Sequence, residues 1–213
     1  MAGMHAEFEA WAEASGVKLF KVEASAVAEG GRGVVASMDI APGEILVSIP
    51  RALLMTEQSA LRDPALARVL APPASFSPQQ ALIMHLLCEM TKAEESAWWP
   101  YLRQLPRSHS TLAHFSPSEV EALQAPHAVE IAEKRVKQMR EQWGECRGAL
   151  AELGVKRGLR SVGAWAWAQG TCLSRTVYVP FTKEGALCPF GDLFNYAPPA
   201  PRPSGEEGAG KGA

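Results

Sequence analysis

The sequence predicts an α+β protein in which short strands and tight turns precede a helical block. Three observations predict this order. Turns that contain glycine or proline separate short alternating apolar runs over about the first 56 residues. From about residue 77 to 155, helix-capping signals and apolar residues at helical spacing dominate. Beyond Arg175 the pattern becomes extended again and leads into an apolar turn at residues 187–199.

The bulk composition is typical of a globular protein that is soluble in water. The 213 residues can bury a sizeable core, and 47% hydrophobic with 21% charged residues is ordinary for such a protein. The formal charge of −2 provides no basic surface, so binding to nucleic-acid phosphates is not expected. No apolar run approaches the roughly 20 residues of a membrane span, and the first residues resemble neither a signal nor a transit peptide. We therefore expect no membrane association and a cytoplasmic location, with the nucleus as an alternative.

The cysteines and histidines do not indicate a metal site. The four cysteines are scattered through apolar surroundings and form no close pair: Cys88, Cys146, Cys172 and Cys188. This pattern favours buried free thiols in a reducing compartment, and a disulfide framework is the weaker alternative. The five histidines lack the spacing of zinc ligands. We therefore expect no metal, and His85, within an apolar run, is predicted to be a core residue.

The first part of the chain predicts one helix followed by extended segments. Phe8, Trp11 and Ala12 share a face of a short amphipathic helix that ends near Gly16. A glycine-rich turn at residues 29–33 then separates extended residues 17–22 from a strand at 34–36. It is most simply a hairpin turn, although its glycines would also let a ligand approach the backbone. The glycine spacing differs from the dinucleotide-binding fingerprint, and no helix follows.

A turn with proline and then glycine at its centre spans residues 39–44 and predicts type II geometry. Alternation of Ile45, Val47 and Ile49 predicts a half-buried or fully buried strand, and the extended run continues to Thr56.

Serine caps mark the starts of the predicted helices. Ser77, followed by proline and then by glutamine three residues on, predicts a helix over residues 78–91. Ser116 begins a second helix in the same way, and Ser161 a later one that ends at Ser174-Arg175. A long helix is predicted from about residue 127 to 153, with Gly154 as its end. The aromatic residues Trp98, Trp99 and Tyr101 are predicted to be core or interface anchors.

The turn at residues 187–199 combines apolar residues with two polar ones. Asp192 and Asn195 are three positions apart, which would place both side chains on one side of a helical turn. Burying an acid and an amide is costly unless both are hydrogen-bonded. These residues alone leave two interpretations open, a capped turn at the edge of a core or the wall of a small-molecule pocket.

Four stretches, in this order, resemble the SET-domain methyltransferases, in particular the class of the Rubisco large-subunit lysine methyltransferase and the actin-histidine methyltransferase. The resemblance covers roughly residues 15–199. The matching stretches are residues 29–56; Leu86-Leu-Cys-Glu, Trp99-Pro-Tyr-Leu, Leu105-Pro, Phe115 and Glu119; Trp165-Ala with Ser174-Arg175; and residues 187–195.

The resemblance implies a SET-domain fold of short strands with a helical insert, and S-adenosyl-L-methionine as the methyl donor. It implies that the main chain of Gly31, Arg32 and Gly33 contacts the donor, and that Arg175 lies near both donor and substrate. The family's Asp-x-x-Asn-His motif corresponds to residues 192–196. It assigns Asp192 to the substrate side, and it assigns Asn195 and Tyr196 to the donor. Tyr196 departs from the family, in which histidine is usual at that position.

The resemblance also implies a domain organisation: an N-terminal helix at 1–16, a partial SET domain at 17–199 with its helical insert at about 77–155, and a disordered proline- and glycine-rich tail at 200–213. We find no counterpart of the family's catalytic tyrosine segment after Tyr196, so no catalytic residue is assigned. The fold is therefore expected to be incomplete at its C-terminus, and this chain to be a truncated form with weak or no activity.

Three hypotheses about function follow. The first is protein-lysine N-methylation, with histidine as the alternative target, by a monomer that acts on a protein substrate. The second is a non-catalytic protein that binds the donor or a protein partner. The third is an unrelated α/β interaction module.

Overall fold

The computed structural model describes residues 2–26 and 32–195. Within these ranges the helices are α1 Ala2–Ala14, α2 Glu57–Ala60, α3 Pro64–Leu70, α4 Pro78–Lys92, α5 Trp99–Leu102, α6 Pro117–Ala122, α7 Pro126–Glu152 and α8 Val162–Arg175. The strands are β1 Lys18–Leu19, β2 Val22–Ala26, β3 Arg32–Ala36, β4 Val47–Ser48, β5 Thr176–Val177 and β6 Ala186–Leu187. Short 3-10 turns occupy Arg51–Leu53 and Gly191–Leu193, among others.

The strands form three separate antiparallel pairs, β1 with β4, β2 with β3, and β5 with β6. The β2–β3 hairpin confirms the predicted reversal around the glycine-rich turn, whose residues 27–31 lie outside the described part of the chain. An isolated bridge between Met55 and Leu187 joins the end of the N-terminal strand region to β6. Segments from the two ends of the described chain therefore meet at one place, next to the turn that carries Asp192.

Helix α4 is the centre of the core, and its sequence explains its start. Ser77 accepts a hydrogen bond from the Gln80 main-chain N–H at 3.1 Å, and the Gln80 side chain accepts one from the Ser77 N–H at 2.7 Å. This reciprocal capping box satisfies two donors that the first helical turn leaves without partners. Every residue from Gln80 to Glu89 is buried. This stretch of the helix is therefore enclosed, because α2, α5, α7 and α8 all contact it.

Two polar side chains inside this core, His85 and Glu89, have polar partners. His85 is 1% exposed, which confirms its prediction as a core residue, and its Nδ1 lies 3.3 Å from Ser59 Oγ. The buried Glu89 accepts hydrogen bonds from Ser96 at 2.5 Å and from Lys92 at 2.6 Å. Burial lowers the pKa of His85, so the ring is held in its neutral form.

The two long helices end near the predicted residues. Helix α7 spans Pro126–Glu152, and Gly154 follows with φ of +69°, a left-handed conformation that favours glycine. Ser161 caps α8 by accepting from the Ala164 N–H at 3.1 Å. Because α8 ends at Arg175, this helix delivers Arg175 to the turn at residues 188–193.

The N-terminal strand region differs from prediction in several places. The strand expected at 45–49 is limited to β4, and Ile45, which precedes the residues paired with β1, is 70% exposed. The extended run predicted to Thr56 is interrupted by a 3-10 turn at Arg51–Leu53. Helices α2 and α3 were not predicted, although Thr56 and Asp63 cap them through side-chain hydrogen bonds.

All four cysteines are buried and free, so the expectation of buried thiols is confirmed and the disulfide alternative is wrong. Among the described residues, no helix is both long enough and apolar enough to cross a membrane. The predicted disorder at 200–213 concerns residues outside the described ranges.

Candidate functional site

The turn that carries Asp192 is held by close packing. Phe190 adopts φ of +66°, unusual for a residue with a side chain, and its buried ring stacks on Phe8 with centroids 4.8 Å apart. A Cβ at Gly191 would lie 2.6 Å from Cys188 Sγ, so any other residue there would force the Cys188 side chain to move. The 3-10 turn closes through the Leu193 N–H, which donates to the Phe190 carbonyl at 3.1 Å, and the Asp192 N–H donates to the Cys188 carbonyl at 3.0 Å.

Asp192 is contacted by residues from two helices. The Tyr101 hydroxyl, in α5, donates to its Oδ2 at 3.1 Å. The Arg175 guanidinium, at the end of α8, donates from Nη1 to its main-chain carbonyl at 2.9 Å. Its other carboxylate oxygen, Oδ1, is buried and has no hydrogen-bond partner in the part of the chain that the structure describes. An unpaired buried acceptor of this kind costs roughly 1–3 kcal/mol, which a ligand with a donor or a positive charge would recover.

Arg32, the first residue of β3, lies beside this turn. Its guanidinium donates to the Gln104 side-chain oxygen at 2.5 Å and also to the Gln104 main-chain carbonyl. Its own main-chain carbonyl accepts a hydrogen bond from the Asn195 side chain at 3.3 Å. The β2–β3 hairpin is thereby joined to the residues that follow the Asp192 turn.

The charges of the site influence one another. Burial raises the pKa of Asp192 to about 6, against the opposing effects of Arg175, the Tyr101 hydrogen bond and Arg32. Burial, followed by the nearby charge of Arg175, lowers the pKa of Arg32 below the usual value of an arginine. Burial, followed by the Asp192 charge, raises the pKa of Tyr101 well above its usual value, so the phenol stays a neutral donor. The site therefore combines two guanidinium groups with one carboxylate, an arrangement that suits a ligand carrying both charges.

The structure brings most of the predicted site residues together. Arg32 and Asn195 share a hydrogen bond, Arg175 and Asp192 share another, and Gly33 lies buried in β3 next to Arg32. Gly31 and Tyr196 lie outside the described residues, so their predicted contacts with the donor remain predictions.

The prediction that Asp192 and Asn195 share one side of a helical turn is wrong. The 3-10 turn ends at Leu193, and Phe194 is extended, with φ of −68° and ψ of 114°. Asn195 is therefore exposed beyond the turn, whereas Asp192 is directed toward Tyr101. The two residues are linked instead through Arg32, whose main-chain carbonyl accepts a hydrogen bond from Asn195 and whose charge acts on Asp192.

Arg32, Arg175, Asp192, Asn195 and the side chains that bind them form one cluster. Sequence reasoning missed two residues of this cluster. Tyr101 was predicted as a core anchor, and it is only 1% exposed, but its hydroxyl also binds Asp192 from 91 residues away. Gln104 was not singled out, although it accepts both hydrogen bonds from the Arg32 guanidinium. Neither residue stands in a local pattern that could have revealed a partner so distant in sequence.

One open cavity adjoins the Asp192 turn, and another lies apart from it. One of about 900 Å³ lies between α1 and strands β1 and β2, and Phe190 forms part of its wall. Another of about 910 Å³ lies between α6 and α7, away from the Asp192 turn. The first is the cavity that adjoins the turn.

Sequence comparison identifies several similar proteins. No protein-family model matches the chain. Over 184 residues it is 40% identical to the Arabidopsis thaliana protein SET DOMAIN GROUP 40, an alignment that covers 84% of this chain and 38% of that protein. Over 203 residues it is 29% identical to the actin-histidine N-methyltransferase of Mus musculus, covering 87% of this chain and 33% of the relative. The chain thus spans 33–38% of the length of these relatives.

Solved structures share the fold. The SET domain of LSMT bound to lysine and AdoHcy superposes with a TM-score of 0.80 at 21% identity, over 92% of this chain and 46% of that one. Rubisco LSMT bound to AdoMet superposes with a TM-score of 0.73 at 23% identity, over 91% and 45%. These likenesses confirm the predicted α+β SET-domain fold. By its ordered motifs, its relatives and its fold, the chain is a SET-domain protein.

Proposed function

We propose that this chain is part of an S-adenosyl-L-methionine-dependent protein N-methyltransferase, and that the cluster around Asp192 binds the methyl donor. The observation that carries the proposal is the convergence of Arg32, Arg175, Asp192 and Asn195, which come from three distant parts of the sequence. Support comes from a relative that is named a protein methyltransferase and from neighbouring structures that hold AdoMet or AdoHcy.

The described residues fit the charges of this donor. S-adenosylmethionine carries a carboxylate together with an ammonium and a sulfonium cation. The Arg175 guanidinium makes one hydrogen bond among the described residues, to Asp192, and its remaining N–H groups could bind a carboxylate. The resemblance assigns Asp192 to the substrate side, but its Oδ1, which has no partner among the described residues, could also accept from the donor's ammonium or stabilise its cation.

Each residue would have a separate role. When bound, the donor supplies a methyl group on a positively charged sulfur, which is an electrophile. Arg175 would fix the donor's carboxylate and, through the Asp192 carbonyl, the turn beside it. Asn195 would hold that turn against β3, and Gly33 would leave room at the strand.

Transfer to an amine requires its neutral form, and the pKa of a lysine side chain in water is about 10.4. Among the described residues, the Tyr101 hydroxyl is buried and donates to Asp192, whereas Tyr178 is 86% exposed. We propose that neither of these tyrosines surrounds the transferring methyl group. We therefore propose that this chain alone binds the donor and transfers the methyl group slowly or not at all.

The target residue is proposed to be lysine, with histidine as the alternative, because the relatives and neighbours include proteins of both kinds. A non-catalytic donor-binding protein is the second candidate function, and the engaged Tyr101 hydroxyl favours it. We further propose a protein substrate, a monomeric state, and a cytoplasmic or nuclear location without a nucleic-acid partner.

Two measurements on the purified chain test the proposal. Calorimetric titration with S-adenosylmethionine and S-adenosylhomocysteine should show binding of both. Incubation of the chain with methyl-labelled donor and a protein extract, followed by hydrolysis to amino acids, would distinguish labelled lysine from labelled histidine. Binding without label supports the non-catalytic candidate, whereas a folded chain that binds neither compound contradicts the proposal.

A further inference from the structure

Helix α5 reaches the candidate site from the helical block. Tyr101 lies on this short helix, 91 residues before Asp192 in the sequence, and it is 1% exposed. Its hydroxyl donates to Asp192 Oδ2 at 3.1 Å, and no other described side chain donates to that carboxylate. A tyrosine that served only to fill the core could be replaced by phenylalanine without consequence for Asp192.

The segment that carries Tyr101 is fixed on both sides. The Trp98 indole N–H donates to the Leu53 carbonyl at 2.9 Å, which ties the start of α5 to the strand region. Gln104, just after α5, accepts both hydrogen bonds from the Arg32 guanidinium. One short segment therefore contacts both sides of the cluster, Asp192 on its turn and Arg32 on β3.

We propose that Tyr101 is a positioning residue that acts through Asp192, by holding Oδ2 so that Oδ1 remains the oxygen available to a cationic group of the methyl donor. This inference rests on the proposed function. The Tyr101 phenol would orient the Asp192 carboxylate, which would contact the donor.

Several charged or titratable groups face Asp192, and their contacts determine how loss of the Tyr101 hydroxyl should change the pKa of Asp192. Arg175 faces it from α8, Arg32 from β3, Tyr101 from α5 and the Cys188 thiol from its own turn. Tyr101 is the one whose hydrogen bond reaches the carboxylate among the described residues. Because that bond stabilises the ionised acid, its removal should favour the protonated acid and weaken the attraction for a cation.

The test compares Tyr101→Phe with Tyr178→Phe, a matched control at a tyrosine that is 86% exposed. The titration midpoint of Asp192 is followed by carbon-13 NMR of its carboxyl carbon, with the resonance assigned from its loss in Asp192→Asn. The affinity of the chain for S-adenosylmethionine is measured by calorimetry at pH 7. In Tyr101→Phe the midpoint should rise by about 0.5 to 1 pH unit, and affinity should fall about 3- to 10-fold. The control should change neither quantity.

A double variant checks that Tyr101 acts through Asp192. Tyr101→Phe combined with Asp192→Asn should bind the donor no more weakly than Asp192→Asn alone. If Tyr101→Phe folds poorly, 3-fluorotyrosine can be placed at position 101 instead. It retains every atom of the hydrogen bond to Asp192 and makes the phenol a stronger hydrogen-bond donor. The midpoint of Asp192 should then move down.

The outcomes separate this inference from the proposed function. A wild-type chain that is folded but does not bind the donor overturns the proposed function. A wild-type chain that binds it, together with a Tyr101→Phe variant of equal affinity and unchanged midpoint, overturns the role of Tyr101 alone. Additive losses in the double variant would also overturn it, because Tyr101 would then act independently of Asp192.

Discussion

The Arg175 guanidinium donates a hydrogen bond to the main-chain carbonyl of Asp192 at 2.9 Å and thereby ties the end of α8 to the 3-10 turn. The contact joins a residue at the end of a buried helix to a turn whose geometry is fixed by Gly191 and by the stacking of Phe190. Since both sides of the contact are held in place, the guanidinium is pre-oriented. A pre-oriented group loses little conformational entropy when a ligand binds.

We expect Arg175→Ala to weaken binding of S-adenosylmethionine about 10- to 100-fold, because it removes a charge-assisted hydrogen bond worth roughly 1.5–3 kcal/mol. Calorimetric titration measures the change. Arg147→Ala is the matched control, since Arg147 is exposed on α7 away from the site. Equal affinity in the two variants would exclude Arg175 from donor binding.

Asp192 should make stability depend on pH in an identifiable window. Its pKa is about 6 in the folded chain and about 3.9 in an unfolded one, so the folded chain keeps the proton to higher pH. Ionisation then opposes folding, and stability should fall between about pH 4 and 6, by up to about 3 kcal/mol, and level off above.

Urea denaturation of the wild type and of Asp192→Asn at several pH values from 4 to 7.5 measures this effect. Because the asparagine variant lacks the ionisation, the free energy of unfolding of the wild type should decline relative to that of the variant as pH rises. A difference that stays constant across the range would contradict the buried position of the carboxylate.

Gly170 on α8 is predicted to be intolerant of alanine. A Cβ there would lie 2.8 Å from both His109 Cδ2 and His114 Cε1. These rings are held by hydrogen bonds to Thr171 at 2.8 Å and to the Ala166 carbonyl at 3.1 Å, so they cannot move away freely. Gly170→Ala should destabilise the chain by about 1–3 kcal/mol.

The matched control is the same substitution at Gly148, a helical glycine on α7 with open space around its Cβ position. Alanine there should stabilise the chain by about 0.5–1 kcal/mol, because it restricts the unfolded backbone and favours helix. Thermal or urea unfolding compares the two variants. Changes of the same sign at both glycines would argue against the packing of His109 and His114 on α8.

The four thiols should be protected in the folded chain. Burial raises the pKa of each of them, Cys88, Cys146, Cys172 and Cys188, to about 12, so little thiolate is present at pH 8. Iodoacetamide should label the native chain slowly and should label all four sites once urea unfolds it. Mass spectrometry counts the labels, and rapid labelling of the native chain would contradict the burial.

Local chemistry made the helical block predictable. Serine caps followed by proline specify where α4 and α6 begin, and Gly154 specifies the end of α7, because the groups involved lie within a few residues of one another. The same capping chemistry marks α2 and α3 at Thr56 and Asp63, but these helices are so short that their sequences contain no helical period to accompany the cap.

The sequence by itself determined the fold class, the starts of helices α4, α6, α7 and α8, the buried thiols and the family, through capping residues, apolar periodicity and the order of its motifs. Only the tertiary structure decided that Tyr101 binds Asp192, that Gln104 holds Arg32, and that Asn195 lies outside the turn. It also decided that Ile45 is exposed. The physical reason is that these features depend on which distant elements pack together, and side chains 72 or 91 residues apart leave no common pattern in the sequence.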